Sequence, residues 1–169
     1  MLIEQIISPS LSECTYYIEC QGEAVVIDPI REPQPYLLRA GKSKAKIRYI
    51  FETHVHADFI GGHAELAEQT GASIVFGPTA TPMFPATIAT DQQVFPLGDC
   101  FIKVLHTPGH SLESVCYLLM DARQQPKALF TGDTLLMNDV GRVDIIQHVR
   151  KELTPRFMAG LLYDSLHNQ

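Results

Sequence analysis

The chain has 169 residues, 46% apolar and 19% charged, with a net charge of −6 and an isoelectric point near 5.6. That length and composition fit one globular domain over residues 1–169 with a core of its own. The acid balance argues against a nucleic-acid role led by phosphate attraction. The longest apolar run, Val115–Met120, is far too short to span a membrane.

In chain order, β-branched and aromatic runs bounded by turn formers predict strands at Ile3–Ile7, Tyr16–Glu19, Ala24–Ile27, Ile47–Phe51 and Ser73–Phe76. Further strands are predicted at Phe101–Leu105, Ser114–Leu119 and Lys127–Phe130, with Asp121–Pro126 as the hairpin loop between the last two. Helices are predicted at Pro35–Gly41, at Gly62–Thr70 with Gly71 as its stop, and at Pro155–Leu166. The last has Thr154 as N-cap and an apolar stripe of Phe157, Leu161, Leu162 and Leu166. Pro78–Pro85, with three prolines, reads as a surface loop. Strands with helices between them point to an α/β arrangement of sheets with helices outside. No basic segment followed by an apolar stretch opens the chain, so a cytoplasmic location is expected.

Cys14, Cys20, Cys100 and Cys116 form no Cys-x-x-Cys pair. They are expected as buried small side chains rather than as disulfides. The histidines carry more information. The predicted strand Ile47–Phe51 runs into Glu52-Thr53-His54-Val55-His56-Ala57-Asp58-Phe59. Continued extended backbone would put His54 and His56 on one side, a pairing suited to zinc or iron. A second segment, His106-Thr107-Pro108-Gly109-His110, turns sharply after a strand and aims His110 from a rigid corner. A third, Phe130-Thr131-Gly132-Asp133, ends another strand in a carboxylate. Alone, the second and third are ordinary turn chemistry. Together, the three supply ligand-type groups at three strand ends.

In this order, His54-Val-His56-Ala-Asp58, Thr107-Pro-Gly-His110 and Thr131-Gly-Asp133 resemble the metallo-β-lactamase superfamily along nearly the whole chain. With Asp139-Val-Gly-Arg-Val-Asp144 added, they resemble its persulfide dioxygenase branch, of the bacterial type often fused to rhodanese domains. The resemblance implies an αββα sandwich of two mixed sheets with outer helices. It also implies one Fe(2+) per chain held by His54, His110 and Asp133, with zinc as the alternative ion. His56 and Asp58 would serve catalysis by orienting ligands or bound water. Low-molecular-weight persulfide and dioxygen would be the substrates, with no nucleic acid or membrane as partner. Arg142 matches the family's arginine and either grips a substrate carboxylate or braces its loop through Asp144. Asp28, in Val26-Ile-Asp-Pro29, matches a family position where loop bracing is expected. His63 is expected at the surface or as a helix cap.

Two departures from the superfamily's two-metal hydrolases stand out. Phe59 occupies the position of a second-site histidine, and the sequence reaches Gln169 before the segment that holds the family's distal histidine. The expected fold therefore lacks the last strand and helix of the usual domain. Three explanations stay open: a piece of a longer protein, a short form that covers its apolar edge as a homodimer, and a copy without catalysis. The rival function is a zinc-dependent thioester hydrolase of the glyoxalase II type.

Overall fold

The computed structural model describes residues 1–8, 14–57, 59–148 and 150–168. Two sheets stack face to face. The first has six strands in the order β1 (Leu2–Ile7), β2 (Cys14–Cys20), β3 (Glu23–Ile27), β4 (Lys46–Phe51), β5 (Ser73–Phe76) and β6 (Thr87–Ile88). The second has four, in the order β10 (Pro126–Phe130), β9 (Val115–Met120), β8 (Cys100–His106) and β7 (Val94–Leu97). In the first sheet β1, β2 and β3 pair antiparallel, and β3 through β6 pair parallel. The three pairings of the second are antiparallel. Parallel neighbours need crossovers, and the helices α1 (Gln34–Ser43) and α2 (His63–Thr70) supply them between β3 and β4 and between β4 and β5.

Strand alternation builds two cores. Val25, Phe51 and Val75 face the second sheet and meet Phe95, Ile102, Tyr117 and Leu119. Their neighbours Val26, Ile50 and Ile74 face the other way, against Tyr36 and Ala40 of α1 and Leu66 of α2. A sheet buried on both faces explains why β3 and β4 read as nearly continuous apolar runs.

The predicted strands and helices are present, with ends moved by at most two residues. Gly71 closes α2 in the left-handed region at φ 70°. The predicted hairpin loop is an Asx turn in which Asp121 Oδ1 accepts from the N–H groups of Arg123 at 2.9 Å and Gln125 at 3.0 Å. Strands β6 and β7 were not foreseen. The first has two residues, and the second contains Pro96, tolerated because β7 is an edge strand.

Helix α3 (Pro155–Asn168) has its Thr154 cap, since Phe157 N–H donates to Thr154 Oγ1 at 3.3 Å. Its buried face is Met158, Leu162 and Ser165, whereas Phe157 and Leu166 of the expected stripe are exposed. The helix is turned because Ser165 Oγ donates to Pro108 O at 2.8 Å and Leu162 lies on Gly109, where a Cβ would come within 2.4 Å of the Leu162 Cβ. Hydrophobicity set the period, and the polar anchor at Pro108 chose the face.

One cysteine expectation is corrected. Cys20, at the end of β2, and Cys100, at the start of β8, are disulfide-bonded across a sequence separation of 80, with Cα atoms 6.4 Å apart. Stacking of the two sheets brings these strand ends together, a proximity no local spacing encodes. Cys14 and Cys116 are free. No helix among the described residues is long and apolar enough to cross a membrane.

Candidate metal centre

Three strand ends converge on one rim of the sandwich. His54 follows β4, His110 lies in the loop after β8, and Asp133 sits in a single 3₁₀ turn, Gly132–Thr134, after β10. Their ligand atoms lie within 4.8 Å of one another. His110 Nε2 is 3.6 Å from Asp133 Oδ2, and the rings of His54 and His110 meet edge to face at 4.7 Å. Two imidazoles and one carboxylate at this spacing fit a single ion and leave further coordination positions open.

Hydrogen bonds behind these groups set their tautomers. Thr53 Oγ1 donates to Asp28 Oδ2 at 2.8 Å, so its oxygen accepts from His54 Nδ1 at 3.0 Å. That leaves the lone pair of His54 on Nε2. His110 Nδ1 donates to the backbone carbonyl of Arg142 at 2.9 Å, which frees its Nε2 toward Asp133. His54 is held low, to about 4, first by burial and then by the imidazoles of His56 and His110. Near neutral pH its ring is uncharged, as a metal ligand requires.

His56 does not join this group. Its Nε2 lies 3.2 Å from Asp28 Oδ1 and 3.7 Å from Glu52 Oε2, and Asp28, Glu52 and His56 form a second cluster of ligand-type groups. The chain leaves extended geometry after β4, so strand alternation no longer aligns the two rings, which lie 4.2 Å apart and tilt by 50°. Phe59 packs against the His56 ring at 4.4 Å. Asp58 lies outside the described residues. Asp28, buried with φ 49°, also accepts the Thr53 N–H at 2.7 Å, consistent with the expected bracing role. His63 begins α2 and its Nδ1 is 3.0 Å from Glu52 Oε1. Burial pushes the Glu52 carboxyl up, and the hydrogen bond to Glu52 pushes His63 up.

The sequence reading passed over Glu52, Thr53 and the Arg142 carbonyl. A glutamate directly after the apolar run Tyr49-Ile-Phe51 was the available signal for the first. The other two act through a small hydroxyl and a backbone atom, which no motif marks. The Arg142 side chain forks onto Asp144 at 3.0 and 2.8 Å, so bracing is realised, yet it stays 70% exposed at the mouth of the site. Gly141 is packed hard against this corner, where a Cβ would fall 2.0 Å from Asp133 O and 2.8 Å from His110 Nδ1. Gly141→Ala is therefore expected to weaken metal binding about 10- to 100-fold by displacing both groups, as read by competition with a chelator.

Two cavities meet at His54, Val55 and Glu113. One, about 690 Å³, contains His54, His110 and Asp133 together with Arg142 and Arg150. The other, about 610 Å³, has Val55, Phe59, Ile60, Phe76, Met83 and Phe84 in its walls.

The metallo-beta-lactamase superfamily profile matches residues 13–169, nearly the whole chain and all three metal-group segments. The chain belongs to the metallo-beta-lactamase superfamily. Among curated relatives it is 37% identical over 131 residues to a hydroxyacylglutathione hydrolase of Prochlorococcus marinus, covering 74% of this chain and 51% of that protein. It is 38% identical over 116 residues to one of Rhizobium etli, covering 66% of this chain and 43% of the relative. The chain thus spans about half the length of these relatives. Among solved structures, a metallo-beta-lactamase from Staphylococcus aureus superposes with a TM-score of 0.88 at 32% identity, over 98% of this chain and 51% of that one. ETHE1 from Myxococcus xanthus superposes with a TM-score of 0.83 at 31% identity, over 99% and 69%. The fold is the expected metallo-β-lactamase sandwich, and it covers only part of these longer chains.

Proposed function

We propose that the chain is a mononuclear non-haem iron oxidoreductase that converts a low-molecular-weight thiol persulfide, such as glutathione persulfide, to thiol and sulfite, consuming dioxygen and water. The observation that carries this reading is Phe59 packed against His56. Phe59 stands where a second histidine would be needed, and its ring packs on a His56 committed to Asp28 and Glu52. What remains is a face of two histidines and one aspartate, the ligand set of non-haem iron oxygenases. The motif resemblance to the persulfide dioxygenase branch supports the same reading.

His54, His110 and Asp133 would hold the iron, which when bound supplies the redox chemistry. The protein groups do the rest. Asp28, through Thr53, and the Arg142 carbonyl keep each imidazole in the ligating tautomer. The Arg142 guanidinium, held at the cavity mouth by Asp144, offers its outward N–H groups to a substrate carboxylate. Val140, Ile145 and Ile146 line that cavity and limit water beside the reacting sulfur.

A second reading, a zinc-dependent thioester hydrolase of glyoxalase II type, is favoured by the names of the curated relatives. Phe59 weighs against it, because a water bridging two ions lacks its second anchor. Protein purified without added metal is expected to carry about one iron per chain and to take up oxygen when glutathione persulfide is added. Bound zinc with thioester cleavage would replace the proposal. A folded protein with neither activity would point to a non-catalytic metal-binding module.

A further inference from the structure

The cross-link between the sheets lies at the end of the sandwich opposite the metal group. Strands β3 and β4 run parallel toward Asp28 and His54, so β2, antiparallel to β3, ends at the other rim in Cys20. Strand β8 starts there with Cys100 and runs back to His106 and the loop that holds His110. Two tight turns meet at that rim. Gln21 and Gly22 turn β2 into β3 with φ 49° and 77°. Gly98, at φ 59°, lets the β7–β8 turn press on the first, where a Cβ would fall 2.4 Å from Cys20 O. Glu23 Oε2 accepts the Gly98 N–H at 2.9 Å and ties the two turns together.

This clamp gathers another cluster of ligand-type groups, Cys20, Asp99 and Cys100, with ligand atoms within 4.8 Å of one another. Asp99 Oδ1 lies 2.9 Å from Cys20 Sγ and 3.6 Å from Cys100 Sγ, and Met1 Sδ is 3.8 Å from Cys100 Sγ. A disulfide has no hydrogen to give that carboxylate, whereas a thiol does and a shared cation satisfies all three groups. The two cysteines are buried, but Asp99 and Met1 are exposed, so an ion can arrive from solvent.

We propose that the reduced cysteine pair and Asp99 form a second metal site, for a thiophilic divalent cation of the zinc class, and that the ion takes over the link between the sheets when the disulfide is opened. Two low-molecular-weight thiols open it. The Cys20–Cys100 S–S bond breaks, the small thiols leave as their own disulfide, and the two electrons and two protons they supply give two protein thiols. The cation then binds both sulfurs as thiolates and releases the two protons to solvent. Bonds of about 2.3 Å at tetrahedral angles put the sulfurs about 3.8 Å apart. Side-chain rotation reaches that separation across Cα atoms 6.4 Å apart. The remaining coordination position falls on the solvent side, beside the Met1 thioether.

Cobalt is the probe, because its thiolate complexes show a charge-transfer band that nitrogen and oxygen donors do not give, and His54, His110 and Asp133 offer no sulfur. Added to the wild type reduced with a phosphine, cobalt is expected to produce that band and zinc to abolish it. Cys20→Ser and Cys100→Ser should lose the band, and His110→Ala should keep it. Asp99→Asn should keep the cysteine pair but weaken cobalt binding at least about tenfold. Native mass spectrometry should find about one ion fewer per chain in the reoxidised wild type than in the reduced protein. No band in the reduced wild type overturns the inference. So does a band that survives in both serine variants, or an equal ion count in the two redox forms. Unchanged affinity in Asp99→Asn removes the carboxylate and with it the three-ligand site.

Discussion

Asp28→Ala is expected to cost about 3–5 kcal/mol of folding stability, although Asp28 is not placed among the metal ligands. Its carboxylate is buried and holds three partners: the Thr53 N–H at 2.7 Å, the Thr53 hydroxyl at 2.8 Å and His56 Nε2 at 3.2 Å. Alanine strands a buried backbone donor and removes the nearest carboxylate from a buried imidazole. It also puts a Cβ without a local hydrogen bond at φ 49°, a conformation that aspartate and asparagine tolerate better. Asp28→Asn keeps the shape and one acceptor and should lose about half as much. Urea unfolding of the metal-free protein separates these effects from metal binding, with the midpoint moving and the slope unchanged. A loss below about 1 kcal/mol for the alanine variant would mean that water replaces the carboxylate and that the brace is dispensable.

His110→Ala should lower bound metal at least about tenfold in protein purified in parallel, as measured by elemental analysis. His110 is one of the three groups whose ligand atoms converge, and its Nε2 faces Asp133 at 3.6 Å. Removing it leaves one imidazole and one carboxylate, too few to hold a divalent ion against buffer. His167→Ala is the matched control, because that ring bonds Tyr163 O of its own helix at 2.7 Å. Equal metal content in His110→Ala and wild type would exclude His110 from the ligand set and end the mononuclear reading.

The contrast between these two residues shows how far local pattern reaches. His110 was legible because Pro108-Gly109 after a strand is a turn with a mechanism, and a histidine at its tip has few places to point. The network around Asp28 was not legible. Glu52, Thr53 and His56 meet it only because β3 and β4 run parallel and Phe51 O takes the Asp28 N–H at 2.9 Å. Likewise His54-Val-His56 read as a pair sharing one side, but Asp28 and Glu52 draw the second ring away. The disulfide between Cys20 and Cys100 and the edge strand β7 escaped for the same reason, since each depends on stacking or pairing across long stretches of chain.

Sequence alone determined the parts that are local: strands by alternation, helices by caps and stops, and ligand-type residues at strand ends by turn chemistry. It also placed phenylalanine after Asp58, where a second metal would need a histidine. Only the tertiary structure decided where the His56 ring turns, which face of α3 is buried, and which backbone carbonyl aims His110. Those outcomes follow from buried polar groups seeking partners across the sandwich. A buried hydrogen bond is worth enough to choose between geometries that hydrophobic period leaves equal.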